Sequence, residues 1–102
     1  MFGLDFVKKA KEMQEKMEVM QKELESKIVE GTSANGKVSV KATGKQSIFS
    51  VSISPEILSS RNADEVSALV MMATNDALDR SKQMMANELS KITGGMKLPG
   101  LF

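Results

Sequence analysis

The segment Lys37–Thr43, KVSVKAT, alternates apolar Val38, Val40 and Ala42 with polar Lys37, Ser39 and Lys41. A period of two puts all the apolar side chains on one face of an extended chain, so the stretch predicts a half-buried β-strand. The segment Phe49–Ser54, FSVSIS, repeats the pattern, with Phe49, Val51 and Ile53 set against Ser50, Ser52 and Ser54. Gly44-Lys45 supplies turn chemistry between the two, and Asn35-Gly36 supplies it before the first. Lys27–Thr32, which carries Ile28 and Val29, then reads as the opening strand of a three-stranded antiparallel meander over residues 27–54.

On either side the apolar period changes to three and four. Over residues 4–26, Phe6, Ala10, Met13, Met17, Met20 and Leu24 form the seam of a packed helix with no Gly or Pro to interrupt it. After the sheet, Pro55 ends the third strand and Pro55–Ser59 suits a short helical turn. Asn62 or Asp64 is placed to cap a second long helix over residues 63–93. Val66, Leu69, Val70, Ala73 and Ala77 mark its early buried stripe, and Leu78, Met85, Leu89 and Ile92 continue on a neighbouring one until Gly94-Gly95. Residues 94–102 form a tail with helix-breaking Gly and Pro among apolar Leu98, Leu101 and Phe102. The fold class is α+β, a single domain over residues 1–102 in the order helix, meander, helix. A small sheet cannot cover two helices of this length, and apolar stripes left over at that scale point to association. The expectation is a homodimer whose helices project from a shared base.

A chain of 102 residues makes one small domain whose core is marginal on its own. It has no Cys and no His, so it offers no disulfide framework, no customary zinc or haem ligands and no proton shuttle for neutral pH. No signal-peptide pattern opens the chain, and no stretch approaches the roughly 20 apolar residues that span a bilayer. These features lead to the expectation of a cytoplasmic protein without membrane attachment, cofactor, metal or small-molecule substrate.

Three motifs invite sharper readings and lose to simpler ones. Gly31–Val38, GTSANGKV, contains G-x-x-x-x-G-K, but a phosphate loop needs a Ser or Thr after the Lys and a helix beyond it. Val38 and a strand stand there instead. Pairs of carboxylates such as Glu12 with Glu15 or Asp76 with Asp79 lie on predicted helices among basic residues, where solvated charge pairing explains them. With no nucleophile motif beside them, an enzyme is not expected. Met13, Met17, Met20, Met71, Met72, Met84 and Met85 could grip varied partner peptides, yet most fall in the helix seams.

Charge distribution is more informative than net charge, which is only +1. Residues 1–11 hold Lys8, Lys9, Lys11 and Asp5, and residues 80–102 hold Arg80, Lys82, Lys91, Lys97 and Glu88, so the two ends carry +5 and the remainder −4. If the helices run antiparallel from one side of the sheet, Lys8, Lys9 and Lys11 approach Lys91 and Lys97 at a common tip. The lysines also sit near a helix N-terminus, where positive charge is disfavoured by a few tenths of a kcal/mol, roughly, per residue. A basic projecting end on a near-neutral chain is the footprint of a phosphate-backbone binder. No helix-turn-helix or zinc-finger spacing is present, and four Phe with no Trp or Tyr give little to stack on bases. Duplex backbone contact is therefore favoured over base reading or single strands.

The stretches MQEKMEVMQKELE (Met13–Glu25) and NDALDRSKQMM (Asn75–Met85), and above all the ending GGMKLPGLF (Gly94–Phe102), resemble the YbaB/EbfC family of bacterial nucleoid-associated proteins. The resemblance implies a tweezer-like homodimer whose helical prongs engage double-stranded DNA in the nucleoid, organising it and regulating genes. The basic positions of the prongs carry over onto Lys8, Lys9, Lys11, Arg80, Lys82, Lys91 and Lys97. One departure is Ser54, where the family pattern leads us to expect an acidic residue before Pro55. From a different class, the alternative is a dimeric protein-interaction module that binds partner peptides through its Met-rich helices.

Overall fold

The computed structural model describes residues 2–93, and the tail expected over residues 94–102 lies outside the described residues. The elements follow in the order α1 (Phe2–Ser26), β1 (Ile28–Ser33), β2 (Val38–Thr43), β3 (Ile48–Ile53), α2 (Pro55–Ser60) and α3 (Ala63–Thr93). The strands form an antiparallel sheet in the order β1-β2-β3. A 3₁₀ turn at Ala34–Gly36 joins β1 to β2, with Asn35 at φ 56° and Gly36 at φ 86°. The GTSANGKV stretch is therefore a hairpin, and Val38 opens a strand where a phosphate loop would open a helix.

The register makes the core. Val38, Val40 and Ala42 of β2 share a face with Val29 and Gly31 of β1, and α3 lies across that face with Ala73 and Ala77. Helix and sheet approach unusually closely because both sides are small. A Cβ on Gly31 would collide with the Ala73 and Ala77 backbone, the nearest atom being the Ala77 nitrogen. Ser33 donates to the Leu69 carbonyl at 2.6 Å, fastening the far end of β1 to the same helix. Asn62 caps α3 reciprocally with Glu65: the Glu65 N–H donates to Asn62 Oδ1 at 2.8 Å, and the Asn62 N–H to Glu65 Oε1 at 3.5 Å.

A second, smaller core holds the helices together. Met20, Leu24 and Leu89 are buried, with Met17, Met84, Met85 and Ile92 around them. The base of α1 is tied down by the turn after β2, where the Gly44 N–H donates to the carbonyls of Leu24 and Lys27, both at 2.9 Å. Ser81 of α3 reaches the same turn. Its buried hydroxyl donates to the Thr43 carbonyl at 2.8 Å and accepts the Gln46 N–H at 3.0 Å. With Leu24 held near Ser81, and Ile92 beside Glu12 and Lys16, the helices run antiparallel.

Two sequence expectations come out differently. The seam on α1 continues to Phe6, Ala10 and Met13, but α3 covers it only from Met17 onward, and Phe6 is 75% exposed. On β3, Val51 pairs with Val40 and so lies on the helix-facing side, yet it stays 51% exposed because α3 spans β1 and β2 instead. A bulge between Lys41 and Ala42 brings Ile48, not Phe49, opposite Ala42. The protein is long, 69 × 23 × 17 Å, with a radius of gyration of 18.8 Å where about 13 Å is usual for a compact chain of this size.

Candidate nucleic-acid interface

The projecting end of α1 carries Lys8, Lys9 and Lys11 in adjacent turns, all exposed. None of the three forms an ion pair among the described residues, although Glu12 and Glu15 follow at helical spacing. The helix extends back to Phe2 and has Asp5 in its first turn, so the lysines occupy the second and third turns. The dipole field falls off within the first turn, which softens the penalty expected from the sequence.

The other basic candidates are placed differently. Lys91 lines a groove with Glu12, Glu15 and Ile92, just below the lysine turns of α1, and its ammonium lies 3.2 Å from Glu88. Glu88 also takes Lys27 at 3.0 Å, joining the start of the sheet to α3. These two ammonium groups, Lys27 first and then Lys91, hold the Glu88 carboxyl below its ordinary range against a smaller opposing effect of burial. Arg80 lies eleven residues nearer the sheet than Lys91, about 16 Å along the helix. Its guanidinium Nε is 3.2 Å from Asp76, whose other oxygen accepts the Thr32 N–H at 3.0 Å. That backbone donor, and then Arg80, keep the Asp76 carboxyl below its ordinary range. Lys82 opens on a different side of α3, beside Gln46 and Asp79, without an ion pair among the described residues. Lys97 lies outside the described residues.

The structure thus gathers Lys8, Lys9 and Lys11 at one end, sets Lys91 just behind them, and leaves Arg80 and Lys82 near the sheet. It also adds two residues that the sequence reading passed over. Lys16 and Lys22 of α1 are exposed and carry no ion pair among the described residues. Lys16 follows Lys9 by seven positions and Lys22 follows Lys11 by eleven, intervals that return to nearly the same helix face and could have been counted. Among the described residues no cluster of Asp, Glu, His or Cys is arranged to hold a metal, and no helix is long and apolar enough to cross a membrane.

A helix end whose lysines form no ion pair among the described residues is suited to meeting phosphates. Residues 3–96 match the YbaB/EbfC DNA-binding family. The chain belongs to that family. A nucleoid-associated protein of Caldanaerobacter subterraneus subsp. tengcongensis is 42% identical over 98 residues, covering 96% of this chain and 88% of the relative. One from Thermoanaerobacter pseudethanolicus is 39% identical over the same coverage, and one from Desulforamulus reducens is 43% identical over 94% of this chain and 91% of the relative. The fold recurs in the crystal structure of an uncharacterized protein from Helicobacter pylori, with a TM-score of 0.73 at 19% identity over 83% of this chain and 89% of that one. The YbaB/EbfC family is a DNA-binding, nucleoid-associated family and not a family of enzymes.

Proposed function

We propose that two copies of this YbaB/EbfC chain form a tweezer-like dimer in the cytoplasm that holds double-stranded DNA by its phosphates, contributing to nucleoid organisation and to gene regulation. The single observation that carries the reading is the α1 end, where Lys8, Lys9 and Lys11 project with no ion pair among the described residues, followed along the same helix by Lys16 and Lys22. Lys82, Arg80 and Lys91 add basic groups along α3, Arg80 and Lys91 each already engaged by a carboxylate, and Lys97, outside the described residues, completes the proposed set of DNA-binding residues. Dimerisation is supported by the sheet. Phe49 and Val51 of β3, with Leu58, Met71 and Met72 of the helices, leave apolar side chains half or more exposed in the single chain.

Lysine contacts to phosphate release condensed counterions, so affinity falls with salt at a logarithmic slope of about −0.9 per contact whatever the base sequence. Binding of partner peptides through methionines would be nearly indifferent to salt. A titration of unrelated duplexes at several salt concentrations separates the two. The expected result is a steep, shared slope; binding that ignores salt would favour the peptide-binding alternative.

A further inference from the structure

On α1 the apolar stripe runs without a break from Leu24 to Phe6, yet only its lower half has a partner among the described residues. Met17, Met20 and Leu24 meet α3, whereas Phe6, Ala10 and Met13 are exposed. The uncovered part belongs to a stretch of about 15 residues, a length at which an isolated helix is marginal in water. Something that covers the stripe would stabilise the end that carries the lysines.

We propose that the occupant is the chain's own C-terminal segment, residues 94–102, lying along Phe6, Ala10 and Met13. Three observations favour it over a second copy. Ile92, next to the last residue of α3, shares a groove with Glu12 and Lys16, so the segment begins level with the point where the stripe loses its cover. Because the helices are antiparallel, the end of α3 points toward the free end of α1. Nine residues reach about 30 Å when extended, and Phe6 lies about 16 Å along the helix from Met17.

The composition of the segment fits the surface. Met96, Leu98, Leu101 and Phe102 are four apolar side chains in nine residues. In an extended chain Met96 and Leu98 share one side and Lys97 takes the other. Seating the apolar pair on α1 turns Lys97 outward, next to Lys8, Lys9 and Lys11. That last consequence rests on the DNA-binding reading; the docking does not.

The chain has no cysteine, so a pair can be introduced cleanly. Ala10→Cys combined with Leu98→Cys puts one thiol on the stripe and one on the segment. Lys8→Cys with Leu98→Cys is the control, at nearly the same height but well around the helix and away from the groove that Ile92 lines. Under mild oxidation without DNA, denaturing gels without reductant distinguish a link within one chain from a link between chains. Docking predicts an intrachain disulfide that forms about tenfold faster for the Ala10 pair than for the Lys8 pair, as expected when a preferred geometry raises the effective concentration. Equal rates for the two pairs, or links chiefly between chains, would overturn the proposal. A chain ending at Gly95 gives the complementary measurement. Amide exchange over residues 5–14 should accelerate when the segment is absent, and unchanged exchange would also overturn it. Neither result depends on whether the protein binds DNA, so failure here is distinct from failure of the proposed function.

Discussion

Gly31 sets the distance between sheet and helix. Its missing Cβ lets β1 lie on Ala73 and Ala77, and Gly31→Ala forces the two elements apart. Overpacking of this kind destabilises by about 1–3 kcal/mol, so the urea midpoint should drop with the slope unchanged; a midpoint equal to the parent's would mean that the close approach is not tight. Nothing local to Gly31 announces this role, because its neighbours are 42 and 46 positions away in sequence. Ser81 is similar. It reads as one more polar residue in a helix, and only the fold reveals that its hydroxyl bridges Thr43 and Gln46. Two carboxylates also act across elements. Both Asp76 and Glu88 are depressed in the folded state, so their stabilisation is complete above their ordinary values of 3.8 and 4.5 and is lost as pH falls through the lower native ones. Stability should therefore decline below about pH 4.5, and Glu88→Gln should flatten part of that decline when urea unfolding is followed against pH.

At the scale of elements the sequence was a good guide to order and a poor guide to cover. The period-two alternation around Val38 and Val51 located strands, and the period of three and four located the long helices, because those patterns follow from backbone geometry alone. The same patterns cannot say what lies against an apolar face. Phe6 and Met17 belong to one seam, but among the described residues only Met17 packs against the cluster that joins α1 to α3. The lysine cluster was legible for a related reason: Lys8, Lys9 and Lys11 are adjacent in sequence and remain adjacent on a helix. Arg80 and Lys91 pair with Asp76 and Glu88 at four- and three-residue helical spacing, which the linear pattern displays; what it hides is that the same two carboxylates also take the Thr32 N–H and the Lys27 ammonium from across the fold. Since Lys8, Lys9 and Lys11 lie beyond the first turn and bear no ion pair, replacing all three with Gln should leave stability within about 0.5 kcal/mol of the parent. Thermal unfolding measures this directly, and a larger loss would mean that the lysines hold α1 in place.

The whole molecule is elongated. A single chain leaves Phe49 and Val51 of β3 and Met71 and Met72 of α3 more than half exposed, and a core this small is marginal without more burial. Sedimentation equilibrium should therefore give a dimer mass at micromolar concentration, whereas a monomer throughout would remove the tweezer architecture. In the proposed complex the α1 ends meet phosphates. The measurement that tests it most directly is the salt dependence of duplex binding by the parent and by the Lys8→Gln, Lys9→Gln, Lys11→Gln variant, on two unrelated sequences. Phosphate contact by these lysines predicts weaker binding of both duplexes and a logarithmic salt slope shallower by about 0.9 for each phosphate that the variant no longer neutralises. Parental affinity and slope in the variant would contradict it.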